Sequence, residues 1–358
     1  MVIKSLELLF FRNYDSFSSS FSSGINFIHG RNGQGKTNLI ESLYVVTHLK
    51  SFRTSHISEL STYSKEASSV RATLSKQNVS HVISIDLKKN KKRVTLDQKI
   101  VNYTSDYIKD FFSILFSPDQ LIFFKEYPLE RRNLFDRVLV LIDHNYFKFI
   151  KDFNRVKKQK AHLLRQGKVK EISAWNQLLA EFTPKIDDAR RSLVSRVNQT
   201  LTNIFFELTG RQEKLELKFQ GDFEGRINIE ESSIFRFLEG KIETEVSKGC
   251  LCFGPHKDQY WMTLDGKKDK ETFSQGEYRI AFLALQFTLN YIISNSLGFN
   301  PVILLDDIFS ELDKGVFQKT IEHIYKINNQ VFVTATEIPS EYHKKGHFFK
   351  IEKGKITV

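Results

Sequence analysis

The sequence predicts an α/β fold built around a phosphate-binding loop and divided by a mainly helical insertion. Three observations predict it. The stretch "FIHGRNGQGKTNLIESLY", residues 27–44, carries G-x-x-x-x-G-K-T between an apolar run and a helix-like run. A second apolar run, Val302 to Leu305, ends in paired aspartates near the other end of the chain. Between the two, from Leu129 to about Thr209, glycines are few, charges many, and apolar residues recur at three- and four-residue steps.

The first stretch has the strand–loop–helix order that a P-loop requires. Ile25, Phe27 and Ile28 supply the strand; Leu39, Ile40, Leu43 and Tyr44 recur at helical spacing after the loop. Glycines let the backbone wrap so that successive N–H groups point at phosphate oxygens, and the helix start adds a positive dipole end. Gly30, Arg31, Asn32, Gly33, Gln34, Gly35, Lys36, Thr37 and Asn38 are the predicted ATP-binding segment. Lys36 is expected to reach the β- and γ-phosphates and the Thr37 hydroxyl to ligate Mg²⁺. A glycine-rich turn before a helix is the plainer reading, and the order of all four parts argues against it.

Composition sets the class. The 358 residues are 41% hydrophobic and 27% charged, as in an ordinary globular protein. A net charge of +11 favours a polyanionic partner, most often nucleic acid, although lysine-rich surfaces also serve solubility. No apolar run approaches a membrane span, and "MVIKSLELLFFRNYDS" lacks a signal-peptide layout. Cys250 and Cys252 lie two apart, so on a strand they would share a face as packing thiols. A cytoplasmic location is the resulting expectation.

Strands are expected at "VIKSLELLF", "SGINFIHG", "SSVRATL" and "SHVISIDL". "KKNKKR", residues 88–93, reads as a solvated hairpin turn, with a phosphate contact as the alternative. One long helix is expected from "EYPLERRN" to "LLRQ" and a second from "ISAWNQ" to "IFFEL", with Pro184 as an interruption or kink. The short link "QGKVKE" makes them an antiparallel hairpin. Strands return near "KLELKFQ", and the chain ends in α/β character. The expected division is an ATPase lobe at 1–115 and 245–358 and a mainly helical lobe at 116–244.

Asp306-Asp307 after a buried strand is the Walker B layout. Asp306 would hold Mg²⁺, and Asp307 would polarise the attacking water as general base. Asp307 and Lys36 are thus the predicted catalytic pair. Upstream, Ser274, Gln275, Gly276 and Glu277 open a helix. This is a capping box in the plain reading, and in the functional one an ABC signature that meets the γ-phosphate of ATP held by another subunit. "SELD", Ser310 to Asp313, comes next as a D-loop does. The order P-loop, signature, Walker B, D-loop specifies an ABC-type P-loop ATPase head with an inserted helical lobe. The wide separation of Gly30 from Asp306 is unlike a transporter head and resembles the SMC-like branch.

Matching stretches then make the resemblance specific. "LELLFFRNYDSF", "GRNGQGKTNLIESLY", "SFRTS", "LFSPDQL", "PLERRNLFDR", "GPHKDQY", "FSQGEYRIAFLAL" and "ILLDDIFSELD" resemble the RecF family of bacterial DNA replication and repair proteins over almost the whole chain. The resemblance implies a two-lobed ABC head, ATP-dependent homodimerisation, slow hydrolysis and binding at gapped or junction DNA. It also implies RecA loading with RecR and RecO, and a part in the SOS response. Glu277 departs from the usual S-Q-G-Q signature, and Gln259 stands where a second aspartate is usual. Gln120 lies in the Q-loop region, and Thr334 or Thr336 takes the place of a transporter's switch histidine. Arg53 in "SFRT" resembles a family arginine near the nucleotide.

For DNA contact the candidates are Lys151, Arg155, Lys157, Lys158 and Lys160 in "KDFNRVKKQKAHLLRQGKVK", with Arg165 and Lys168 beyond them. No single stripe collects them all, and a solvated helix face is the competing reading. Two functional readings remain for the whole chain: an ATP-gated DNA-binding ATPase, and a nucleotide-regulated scaffold that recruits repair proteins with little DNA affinity of its own.

Overall fold

The computed structural model describes residues 1–63, 65–88, 91–103, 107–308, 312–339 and 346–357. They form two compact units. Unit 1 comprises Met1–Ile122, Ile204–Arg211 and Ser274–Val358, and unit 2 comprises Phe123–Asn203 and Gln212–Phe273.

Unit 1 is built from two six-stranded sheets. The first orders β2(Tyr14–Ser20), β1(Val2–Phe11), β4(Ala67–Lys76), β5(Val79–Lys88), β6(Lys91–Leu96) and β7(Lys99–Ile100), all antiparallel. Its strands alternate buried and exposed positions, as in β4, because one face packs inward. The second sheet orders β15(Lys355–Thr357), β14(His347–Glu352), β3(Ile25–His29), β13(Val331–Ala335), β12(Val302–Leu305) and β8(Ser113–Phe116). Its five strands β14, β3, β13, β12 and β8 run parallel. The strands β8, β12 and β13 are buried at every residue, which is why they read as continuous apolar runs.

The helix α1(Lys36–His48) packs against strands of both sheets. From Leu39 to His48 every residue is buried, so the helix carries core on all sides. Leu39, Ile40, Leu43 and Val46 join Leu6, Val70, Ile83, Leu304 and Phe332 in one apolar cluster.

Unit 2 is mainly helical. In chain order the helices after α1 are α2(Pro118–Glu126), α3(Pro128–Ile142), α4(His144–Arg165), α5(Ile172–Asn198), α6(Leu201–Thr209), α7(Glu231–Glu239) and α8(Ile242–Lys248); of these α2 and α6 are divided between the units, with Pro118–Ile122 and Ile204–Thr209 in unit 1. The boundaries differ from the two long helices expected. Asp143 breaks the first: its carboxylate accepts from the N–H groups of Asn145 and Tyr146 and caps α4. The second runs through Pro184 without interruption and ends instead at Asn198. There the Asn198 amide bonds both the carbonyl and the N–H of Leu217 in β9(Leu215–Gln220), at 2.8 Å each. The helices α4 and α5 pack on one another as the short link requires.

A small antiparallel sheet joins β9 to β10(Gln259–Leu264) and β11(Lys267–Lys268). Two of the matching stretches meet in this unit at Arg190, which is buried. Its guanidinium donates to Asp136 of "NLFDR" at 2.9 Å and to Asp258 of "GPHKDQY" at 2.6 Å. Two carboxylates hold that cation charged in the interior. Gln259 lies outside the network; it is exposed and bonds the Lys257 carbonyl.

Cys250 and Cys252 are not on a strand. They lie in the loop after α8, both as free thiols, and Cys250 is exposed. The helix α9(Gln275–Leu297), back in unit 1, is long and apolar enough by composition to cross a membrane, which corrects the expectation that no run approaches that length. However, 72% of its apolar window is buried, which makes it a core helix. The last helix is α10(Lys314–Lys326).

Candidate functional site

The site forms where the parallel strands end. The strand β13 lies between β3 and β12, so its C-terminal end comes between the phosphate loop and the paired aspartates. Asn32, Gly33, Gly35, Lys36, Thr37, Asn38, Arg53, Asp306, Asp307 and Thr334 line a cleft of about 400 Å³, a size that suits a small-molecule ligand.

The loop glycines answer to close packing. Gly30 has φ 150°, and a Cβ there would stand 2.4 Å from the Ile351 carbonyl oxygen. Gly35 has φ 114°, and its Cβ would meet the Asn13 amide at 2.7 Å. The β1–β2 turn thus lies under the loop: Tyr14 Oη donates to the Gly35 carbonyl at 2.9 Å, and Asn13 Nδ2 donates to that of Gln34. No side chain caps the start of α1, which leaves its first N–H groups for an anion.

Lys36 is buried, and its ammonium donates to the carbonyls of Gly30 (2.7 Å) and Arg31 (3.0 Å). Burial lowers its pKa, and the carboxylates of Asp307 and Asp306 oppose that. Thr37 Oγ1 donates to Asp306 Oδ1 at 3.2 Å, and Thr334 Oγ1 donates to the same oxygen at 2.7 Å. Burial pushes the Asp306 carboxyl up to about 6, against the two threonine hydrogen bonds that pull it down. The Asp307 N–H donates to Thr334 Oγ1 at 2.8 Å, and Asp307 takes the left-handed conformation at φ 52°. A non-glycine residue held there costs on the order of 1 kcal/mol or more, and such strain clusters at working sites.

Other predicted residues fall in place around this centre. Arg53 donates to Asn38 Oδ1 at 2.9 Å and lies 3.7 Å from Glu41. Thr334, rather than the exposed Thr336, is the threonine of the cleft. Gln120 is not among the lining residues; its Oε1 lies 3.5 Å from Gln286 Nε2. Ser274 caps α9 in a full capping box with Glu277. Gln275 and Gly276 form the first turn, exposed. Asp313 caps α10 by accepting from the Val316 N–H. Ser310 lies outside the described residues, as do Lys89 and Asn90 of "KKNKKR".

Glu41 was missed. It is fully buried on α1 and accepts from Arg12 Nε at 2.8 Å, from Arg12 Nη2 at 2.7 Å and from Ser51 Oγ at 2.5 Å. A glutamate in the second turn of a helix carries no sequence sign of its partners. Only Arg12 and Arg53 in two of the matching stretches could have suggested it.

The basic helix needs correction. Lys160 is fully buried, and its Nζ lies 2.5 Å from Glu245 Oε2, so it cannot track a backbone. Lys157 is half-buried, and burial lowers its pKa. The exposed residues Lys148, Lys151, Arg155, Lys158, His162 and Arg165 recur at alternating three- and four-residue steps. These six form one stripe, about 26 Å long at 1.5 Å per residue, which leaves out Lys157, Lys160 and Lys168, so no single stripe collects all the candidates.

The parallel sheet, the loop–helix and the carboxylate pair define an ABC-type P-loop ATPase head of the SMC kind. A chain described as the SMC head bound to the C-winged helix domain of ScpA shares this fold, with a TM-score of 0.61 over 100% of this chain and 97% of that one, at 16% identity. The family model for the RecF/RecN/SMC N terminal domain matches residues 2–353, and this chain belongs to that family, in its RecF branch. The "DNA replication and repair protein RecF" of Clostridium acetobutylicum is 30% identical over 100% of this chain and 99% of its own length. A structure described as the recombination mediator protein RecF-ATP in the RecFOR pathway superposes with a TM-score of 0.87. It is 27% identical and covers 99% of this chain and 98% of that one.

Proposed function

We propose that this chain is an ATP-gated DNA-binding ATPase of cytoplasmic recombinational repair. ATP drives homodimerisation, the dimer binds gapped or junction DNA, and with RecO and RecR it promotes RecA loading in replication repair and the SOS response. Slow hydrolysis times release. The observation that carries the reading is the Thr37–Asp306–Thr334–Asp307 constellation at the mouth of the phosphate loop.

Within it each side chain has one task. The loop N–H groups and Lys36 bind the β- and γ-phosphates. Thr37 and Asp306 offer the hard oxygen donors that suit Mg²⁺. Mg²⁺, when bound, neutralises phosphate charge. Thr334 orients both aspartates at once. Asp307, turned into the cleft by its left-handed backbone, holds the attacking water and takes its proton. Ser274 and the start of α9 meet the γ-phosphate of the partner subunit's nucleotide, and Asp313 supports the segment just beyond Walker B.

DNA binding is supported by the stripe on α4, whose spacing along one face suits a phosphate backbone and carries no means of base readout. The scaffold reading predicts weak DNA affinity instead. Fluorescence anisotropy of gapped duplex across a salt series, with and without ATP, tests both. Tight, salt-steep binding that requires ATP supports the gated reading. Weak or absent binding favours the scaffold, and tight binding that ignores ATP means that the basic surface acts alone and the nucleotide switches something else.

A further inference from the structure

The Ser274–Glu277 turn carries a carboxylate at the very place where the proposed dimer brings in a phosphate. Glu277 Oε2 accepts from the Ser274 N–H at 2.9 Å and from Ser274 Oγ at 3.0 Å. The helix start compensates about half a charge. It does not offset both a carboxylate and an incoming γ-phosphate. The second oxygen, Oε1, accepts from Arg211 Nη2 at 2.9 Å.

Arg211 ends the segment Ile204–Arg211, which belongs to unit 1, whereas residues 203 and 212 on either side belong to unit 2. The segment is fixed in unit 1 by further contacts. Glu207 Oε2 lies 2.8 Å from His323 Nδ1 on α10, and within the segment the Arg211 guanidinium lies over the Phe205 ring, which steadies the arginine itself. The segment therefore touches the helix beyond Walker B as well as the signature helix.

We propose that Arg211 is a positioning residue for the signature turn. It neutralises Glu277 and holds that carboxylate on Ser274, so that an anionic phosphate can approach a helix start that bears an acidic side chain. The proposal rests on the reading of Ser274–Glu277 as the surface that meets a partner's nucleotide. The pair is partly exposed, with side chains 37% and 27% accessible for Arg211 and Glu277. Such a pair adds little to folding. Its effect appears when a phosphate arrives and water is excluded, because charges then interact across a lower dielectric. The guanidinium also holds the Glu277 carboxyl below its usual range, together with the Ser274 hydrogen bonds.

The test is a double-mutant cycle on the full chain: wild type, Arg211→Gln, Glu277→Gln and the pair together. Dimer mass with Mg²⁺-ATP is read by light scattering, and binding of a fluorescent ATP analogue to the monomer serves as control. Arg211→Gln should weaken dimerisation roughly tenfold or more while monomer nucleotide binding is unchanged. Glu277→Gln should dimerise at least as well as wild type, and the double variant should return to within about threefold of it. Arg211→Lys, which keeps the charge, should retain most of the dimer.

A double variant as poor as Arg211→Gln alone would overturn the proposal, since Arg211 would then act independently of Glu277. So would an Arg211→Gln protein that dimerises normally. If wild type binds nucleotide yet never dimerises, the signature reading itself fails, and the proposal falls with it.

Discussion

Glu41→Gln should unfold unit 1 at a markedly lower temperature. The carboxylate is 0% exposed and faces an Arg12 side chain that is 18% exposed, through two hydrogen bonds of 2.7 and 2.8 Å. A glutamine keeps the shape and removes the charge. It leaves the Arg12 guanidinium without its counter-ion and turns an amide N–H₂ toward another donor. Removing one partner of a buried pair costs about 3–5 kcal/mol. The residual exposure of Arg12 places this case near the lower end. For a domain of this size each kcal/mol lowers the melting temperature by about 2–4 °C, so the expected drop is about 6–12 °C. Thermal unfolding followed by circular dichroism reads it, and a cycle with Arg12→Leu should return a coupling above about 1 kcal/mol. A drop under about 2 °C would refute the argument. Glu41 would then be a satisfied polar group that its neighbours can do without, not the anchor that holds Arg12 and steadies Arg53 beside the cleft.

Other perturbations probe the cleft and the basic helix. Gly30→Ala forces a Cβ against the Ile351 carbonyl in a left-handed backbone, so it should cost roughly 1–3 kcal/mol and abolish nucleotide binding measured by fluorescence. Lys36→Ala should remove ATP-induced dimerisation; unchanged dimer mass by light scattering would sink the P-loop role. Asp307→Asn should still bind ATP but turn it over at least about a hundredfold more slowly, trapping the dimer. Turnover at the wild-type rate would exclude it as base. Lys151→Gln and Arg155→Gln should each lower the slope of log affinity against log salt by about one, whereas Lys160→Gln should leave the slope unchanged and destabilise unit 2.

The phosphate loop was legible in the sequence because all its parts are local. A strand, three glycines, Lys36-Thr37 and a helix lie within one short stretch, and the backbone torsions that glycine permits are a property of single residues. The paired aspartates were legible for the same reason: a strand buried on both faces leaves an unbroken apolar run, and the polar residues at its end must leave the core. Helix ends were less so. Asp143 starts a new helix by capping it with its carboxylate, Asn198 ends one where its amide bonds Leu217, and Pro184, which should have stopped one, does not.

Tertiary structure decided the features that depend on partners distant in sequence. Thr334 reaches Asp306 and Asp307 only because β13 inserts between the two strands that carry the chemistry. Glu41 is an anchor only because Arg12 and Ser51 converge on it. The charges of α4 look alike in sequence, yet packing against Glu245 buries Lys160 and leaves a stripe on the opposite face. Glu277 reads as a helix cap until Arg211 comes up beside it. A charged side chain takes its meaning from the counter-charge and the water around it, and both are set by the folded chain rather than by its neighbours in sequence.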